Sequence, residues 1–281
     1  MQKKILLTAG IILGTLAIVL IISRIMLSNK PHAPAKAVTA PPIESSSGEE
    51  RELFNLARRC GESGDLLSAR DAYRKILEKF PNSNNVQKAR EGLENANIRI
   101  LYSSISTPDS ISYEIQKGDT LAKITKKFST TQDLILKANN LKNAKVVPLG
   151  RKLKVHNEKI SMVVDKSQNI LTLKSDDKIL KTYHVSTGVN NSTPVGTFKV
   201  VNKIINPPWY TAGGVIPPDS PKNILGSRWL GLSEPGYGIH GTTQPQSIGK
   251  QITSGCVRMK NSDVEELYGI VPEGTEVIIV D

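Results

Sequence analysis

Two cysteines and four histidines are the residues of this 281-residue chain best suited to nucleophilic or metal chemistry. Cys60 recurs with Leu53, Leu56 and Ala57 at helical spacing, the usual place of a small buried hydrophobe. Cys256 has a different setting, Gln251-Ile252-Thr253-Ser254-Gly255-Cys256-Val257-Arg258-Met259. A glycine before a cysteine lets backbone approach a ligand closely, and neighbouring amide N–H groups can point at a developing oxyanion. Such a thiol needs a base. His240, in Gly238-Ile239-His240-Gly241-Thr242, is also followed by glycine and lies sixteen residues upstream. His184 falls in a strand-like run, His32 in a proline-rich stretch and His156 at a module boundary, all settings for structural or exposed imidazoles. On residue types alone, a structural role for Cys256 stays open. A Cys60–Cys256 disulfide is a further alternative, but it would pull Cys60 off its apolar face into another module. No Cys-x-x-Cys or His-Glu-x-x-His spacing marks a metal site.

Ile239-His240-Gly241-Thr242, the sixteen-residue step and Thr253-Ser254-Gly255-Cys256-Val257-Arg258-Met259 together resemble the YkuD-type L,D-transpeptidase catalytic domain. Ser186-Thr187-Gly188, Thr193-Pro194-Val195-Gly196-Thr197-Phe198, Asn206-Pro207-Pro208-Trp209 and Asn223-Ile224-Leu225-Gly226 agree with it. Two positions depart from the common pattern: Ser254 stands where many members have histidine, and Ile224 where proline is common. The resemblance implies Cys256 as nucleophile, His240 as base, the Gly241 carbonyl as orienter of the imidazole, and amides at Gly255 and Cys256 as the oxyanion hole. It also implies Thr253, Ser254 and Arg258 as substrate-binding residues. Arg258 would hold a stem-peptide carboxylate, or else form a structural ion pair with Asp263. The implied reaction is cofactor-free acyl transfer from a peptidoglycan tetrapeptide stem through a thioester to an amine, giving a 3→3 cross-link. L,D-carboxypeptidase activity, D-amino-acid exchange and a non-catalytic peptidoglycan-binding scaffold are the alternatives.

The elements that must position these residues are read from composition and periodicity. Lys and Arg number 37 against 26 Asp and Glu, a net charge of +11 that suits polyanionic surroundings. The excess is scattered in pairs, with no basic run interleaved with aromatics, so no nucleic-acid partner is expected. Ile5 to Ile22 is eighteen residues without a charge, about 27 Å as a helix and close to bilayer thickness. Residues 1–28 are therefore read as a cytoplasmic tip and transmembrane anchor rather than a cleaved signal, with the rest outside the cytoplasm. Residues 29–48 read as a Pro/Ser-rich linker.

Residues 49–101 show helical periodicity. The spacing of Ala57, Gly64, Ala69, Tyr73 and Pro81 resembles a single tetratricopeptide repeat followed by a third helix. One repeat cannot bury its face alone, so either the third helix covers it or a protein partner does.

Residues 112–156 read as strand, helix, helix, strand. Gly118-Asp119-Thr120-Leu121 at the first turn and Asn139-Asn140-Leu141 after the second helix resemble a LysM module, which implies glycan-strand binding beside Gly118, Asp119, Thr120 and Leu121. The same residues also suit plain turn and helix-cap chemistry. Residues 159–281 read as a β-sandwich or barrel with one short helix near Ser262 to Leu267, opened by a capping box of Ser262 and Glu265. The chain is thus expected to be multi-domain: a mainly-β L,D-transpeptidase domain, a βααβ LysM module, a short helical region and a membrane anchor.

Overall fold

Alternating apolar residues build the largest sheet. In β3 (Ile160–Asp165) Ile160, Met162 and Val164 point inward. Leu171 and Leu173 do so in β4 (Ile170–Ser175), and Val277 and Ile279 in β14 (Glu276–Val280). This period of two is what a half-buried strand requires. With β5 (Lys178–His184), β7 (Gly196–Ile205), β10 (Arg228–Leu232), β11 (Gly238–His240) and β13 (Val257–Arg258), they form one eight-stranded ladder in the order β13-β11-β10-β7-β14-β3-β4-β5. Only the β3/β14 and β11/β13 joints are parallel. The chain in this computed structural model is described for residues 48–143 and 148–281. The expected anchor, and the linker up to residue 47, lie outside these residues. Among the described residues no helix is long and apolar enough to cross a membrane.

The two ends of the ladder meet. Ser186, just beyond β5, exchanges two 2.8 Å hydrogen bonds with Arg258 of β13, Ser186 N–H donating to the Arg258 carbonyl and Arg258 N–H to the Ser186 carbonyl. The sheet therefore curls toward the expected barrel. At this corner β6 (Thr187–Gly188) pairs with β12 (Gln251–Thr253), while β8 (Trp209–Thr211) and β9 (Gly214–Ile216) form a separate hairpin.

The expected LysM order is present: β1 (Ser110–Glu114), α4 (Leu121–Lys127), α5 (Gln132–Ala138) and β2 (Lys152–His156), with β1 and β2 antiparallel. Thr120 and Thr131 cap the two helices through their hydroxyls. Asn139 stops α5 and ties it to β2, its side chain donating to the Ile135 and Lys154 carbonyls and accepting from Lys154 N–H.

Three further helices precede this module, α1 (Gly48–Ser63), α2 (Leu66–Lys79) and α3 (Val86–Leu101), each packed on the next. Ala57 is buried as expected, but Leu56 is 41% exposed, so it does not belong to the inner face. Of the two ways to cover the first hairpin, the third helix is realised. α3 packs on α2 and then sends Ile98 and Leu101 into the core of the β domain.

Leu134 of α5 enters that same core. Lys154 of β2 donates to the Ile100 and Ser103 carbonyls at the end of α3, both at 2.8 Å, and Thr131 donates to the Gly269 carbonyl. The LysM module keeps a core of its own, around Leu121, Ile124, Ile135 and Leu153, and joins the β domain through Leu134, as α3 does through Ile98 and Leu101.

The last helix, α6 (Asn261–Ile270), is longer than expected and lacks the capping box. Ser262 donates to its neighbour Asp263 instead, and Glu265 lies 4.0 Å from Arg228. Because Leu134 lies on a LysM helix yet belongs to the core of the β domain, Leu134→Ala should weaken the joint between the two. We expect a loss of about 3 kcal/mol in a single denaturation transition followed by both helical and near-ultraviolet signals. Two separated transitions would show that the modules fold independently.

Candidate active site

His240 and Cys256 come together through the parallel joint. In the β11/β13 ladder Ile239 stands opposite Val257 and His240 opposite Arg258. Cys256 immediately precedes β13. Its thiol faces the Gly236 carbonyl, with Sγ and O 3.7 Å apart, and receives the Gly238 N–H. Cys256 and His240 thus belong to the same pair of strands at one end of the sheet. Cys256 opens into a cavity of about 320 Å³ whose wall includes Pro208, Trp209, Tyr210, Leu225 and Trp229. Cys60 is a free thiol in α1, so the disulfide alternative is not realised.

The imidazole is held with little freedom. His240 Nδ1 lies 2.6 Å from the Gly241 carbonyl oxygen. A carbonyl can only accept, so Nδ1 carries the proton and Nε2 keeps its lone pair. Gly241 is itself fixed by a residue that the sequence reading passed over, Asn261 at the start of α6. Asn261 Oδ1 accepts from Ser227 N–H at 3.1 Å and Thr242 N–H at 3.0 Å. A Cβ at Gly241 would lie 2.2 Å from that oxygen, so only glycine fits. The one available signal was an asparagine directly before the expected helix, which suggested a cap rather than a brace for another loop.

Trp229 of β10, opposite His240, stacks on the imidazole with centroids 5.8 Å apart and planes 19° apart. Its indole also covers Gly238, where a Cβ would lie 2.5 Å from Trp229 Cζ2. The stack helps bury His240, which is only 3% exposed. Burial lowers its pKa to about 4 and the nearby Arg258 charge lowers it too, while hydrogen bonds to the backbone of Gly241 and Leu225 oppose both. Burial also pushes the Cys256 thiol up, against smaller opposing effects of Gly238 N–H and Arg258. Both shifts favour the uncharged forms, thiol and imidazole.

The remaining expected site residues separate by environment. Arg258 is buried, with Nη1 3.2 Å from Ser247 Oγ and Nε unpartnered. No pair with Asp263 forms among the described residues. Ser254 is exposed. Thr253 is buried and serves the turn, its hydroxyl donating to the Cys256 carbonyl at 2.7 Å and accepting from Gly255 N–H at 3.2 Å. These contacts correct two expectations: the Thr253 hydroxyl is engaged within its own loop, and Gly255 N–H is directed at Thr253. The amide left for an oxyanion is that of Cys256.

In the LysM module, Asp119 accepts from Tyr113 O–H and Gln116 N–H, both at 2.8 Å, and these two bonds lower its pKa. Thr120 caps α4 and Leu121 is buried. Of the expected glycan-binding residues, Leu121 is therefore a core side chain, and the turn offers its exposed backbone at Gly118.

The L,D-transpeptidase catalytic domain model matches residues 159–279, and the LysM domain model residues 113–156. The YkuD protein of Bacillus licheniformis, assigned by name to the L,D-transpeptidases, is 37% identical over 174 residues, which cover 59% of this chain and 97% of that protein. This chain belongs to the YkuD-type L,D-transpeptidase family. The YkuD protein of Bacillus subtilis is 35% identical over 60% of this chain and 98% of its own length. The YqjB protein of the same species is 40% identical over 43% and 70%. Among the described residues no cluster of metal-ligating side chains is present in the transpeptidase or its companion modules.

The preference for uncharged thiol and imidazole has two measurable consequences. Alkylation of Cys256 by iodoacetamide should rise with pH, with an apparent pKa above the ordinary thiol value, since only thiolate reacts. A plateau extending below neutrality would reveal a resting ion pair instead. In a nuclear magnetic resonance titration, His240 should stay neutral down to about pH 4. Trp229→Ala admits water and should bring the titration back toward the ordinary imidazole value of about 6.5. An unchanged midpoint would show that the indole does not contribute to the shielding.

Proposed function

We propose that the chain is a peptidoglycan L,D-transpeptidase working by covalent catalysis, with Cys256 as nucleophile and His240 as general base. The observation that carries this reading is the His240 Nδ1 contact with the Gly241 carbonyl, which orients the imidazole on β11, the strand paired with the one that Cys256 precedes, while Cys256 opens into the cavity. As the thiol attacks the carbonyl of the third residue of a tetrapeptide stem, Nε2 takes its proton and a carbon–sulfur bond forms. The carbonyl electrons move onto oxygen, facing the Cys256 amide. When the tetrahedral adduct collapses, the carbon–nitrogen bond breaks and imidazolium returns the proton to the departing D-alanine amine, leaving a thioester. A second stem amine then attacks, loses a proton to Nε2 and releases the thiol, which is reprotonated. The product is a 3→3 cross-link and no cofactor is consumed. A buried guanidinium with no carboxylate partner and an unpartnered Nε suits Arg258 to a substrate carboxylate, and Ser254 is exposed two residues before the nucleophile.

The LysM module supports the same substrate, with glycan held along the backbone around Gly118 to Thr120. The basic charge and the apolar run of residues 5–22 favour action in the envelope, tethered to the membrane and outside the cytoplasm. The domain limits proposed are 1–28 for the anchor, 29–48 for the linker, 49–101 for the tetratricopeptide-like helices, 112–156 for LysM and 159–281 for the transpeptidase. Any protein partner of the helical part would meet α1 and α2, since α3 is occupied.

With disaccharide tetrapeptide as substrate, the wild-type chain should yield cross-linked dimer and a thioester adduct by intact mass. Cys256→Ala should abolish both, and His240→Gln should slow adduct formation by about 10³-fold. Tripeptide without dimer would assign water as acceptor. Wild type giving neither adduct nor product would refute the catalytic reading.

A further inference from the structure

The peptide unit joining Gly255 to Cys256 is gripped from behind. Thr193 is 1% exposed, and its hydroxyl donates to the Gly255 carbonyl at 2.8 Å while accepting Gly188 N–H at 2.7 Å. Both of its hydrogen-bonding roles are therefore used inside the protein. A trans peptide is planar, so its C=O and N–H point in opposite directions. Fixing the Gly255 oxygen inward on Thr193 fixes the Cys256 N–H outward. That amide is the one left for an oxyanion once Gly255 N–H is turned onto Thr253.

The grip has a support of its own. The Thr193 carbonyl accepts from Lys166 Nζ at 2.9 Å, and this ammonium, 2% exposed, lies 2.7 Å from Asp281 Oδ1. A buried ammonium needs a countercharge, and the outward-facing Asp281 supplies it. Gly188 closes the contact: a Cβ there would stand 2.6 Å from Thr193 N and 3.0 Å from Gly255 Cα. Nothing bulkier than glycine lets the Thr193 loop lie against the nucleophile loop.

We infer that Thr193, seated by Lys166 and Asp281, is a positioning residue that aims the Cys256 amide at the oxyanion of the acyl-transfer transition state. The inference rests on the transpeptidase reading of Cys256. It assigns a catalytic consequence to a residue sixty-three positions from the nucleophile that touches no substrate.

Two reagents separate this role from general support of the fold. A β-lactam acylates the thiol through a tetrahedral oxyanion, whereas iodoacetamide alkylates it by displacement and forms none. Rates with both are measured by intact mass on the full chain carrying Cys60→Ser, so that Cys256 is its one thiol. In Thr193→Val, acylation should fall by about 10²-fold while alkylation stays within about threefold of wild type. Thr193→Ser, which keeps the hydroxyl, should restore acylation. Asp281→Asn removes an exposed carboxylate with small risk to folding, and should lower the acylation-to-alkylation ratio by about threefold, which keeps the test alive if Thr193→Val does not fold. An unchanged ratio in the folded variants, or an equal fall with both reagents, overturns the proposal. Wild type that is alkylated but never acylated instead overturns the transpeptidase reading on which it stands.

Discussion

Two residue pairs in one short parallel ladder, Ile239 with Val257 and His240 with Arg258, decide where the chemistry of this protein can occur. Parallel neighbours cannot be joined by a tight turn; the chain must cross over, and a crossover takes about a dozen residues or more. The sixteen residues from His240 to Cys256 fit that requirement. The intervening segment also builds β12, whose pairing with β6 brings Gly188 and Thr193 to the back of the nucleophile loop. Arg258, next along β13, closes the curled sheet through Ser186. Catalytic geometry and closure of the sheet therefore depend on the same few residues.

The resting protonation state follows from this crowding. A thiolate–imidazolium pair would need solvent or counter-charges at the corner. The neighbours are instead an indole, glycine backbone and a buried guanidinium. Burial favours both neutral forms, and Arg258 further disfavours a charged imidazole. The contact of Nδ1 with the Gly241 carbonyl fixes the orientation of the ring in this setting.

Much of this was legible in the sequence because the signals were local. Alternation marked β3, β4 and β14, and threonine caps with Asn139 marked the LysM helices. Motif spacing marked Cys256 and His240. The short strands β10 to β13 left no periodic trace, since strands of two to five residues with glycines among them carry no repeat. Asn261 was missed for a different reason: its partners, Ser227 and Thr242, lie 34 and 19 residues away and are bonded through main-chain N–H groups, which carry no side-chain signature. The misplaced capping box has the same origin, since tertiary demand on Asn261 outweighs local helix-start preference. Gly255 and Thr253 lie beside Cys256 in the sequence, yet which amide their turn leaves free depends on a hydrogen bond within the turn that no motif spells out.

The packed joint between the LysM module and the β domain would bear on how glycan binding and acyl transfer work together under the proposed function. A LysM module on a flexible tether raises the local concentration of polymer but leaves its direction free. Here Leu134, Lys154 and Thr131 join the module to α3 and to the β domain. A strand seated at the Gly118 turn would then arrive at a fixed angle to the cavity at Cys256. Its stems project at intervals set by the sugar repeat, so only some registers would offer a carbonyl to the thiol. Rigid attachment exchanges a wide search for a narrow one, selecting among stems on a single strand. The orientational freedom that the modules lack would then have to come from the polymer.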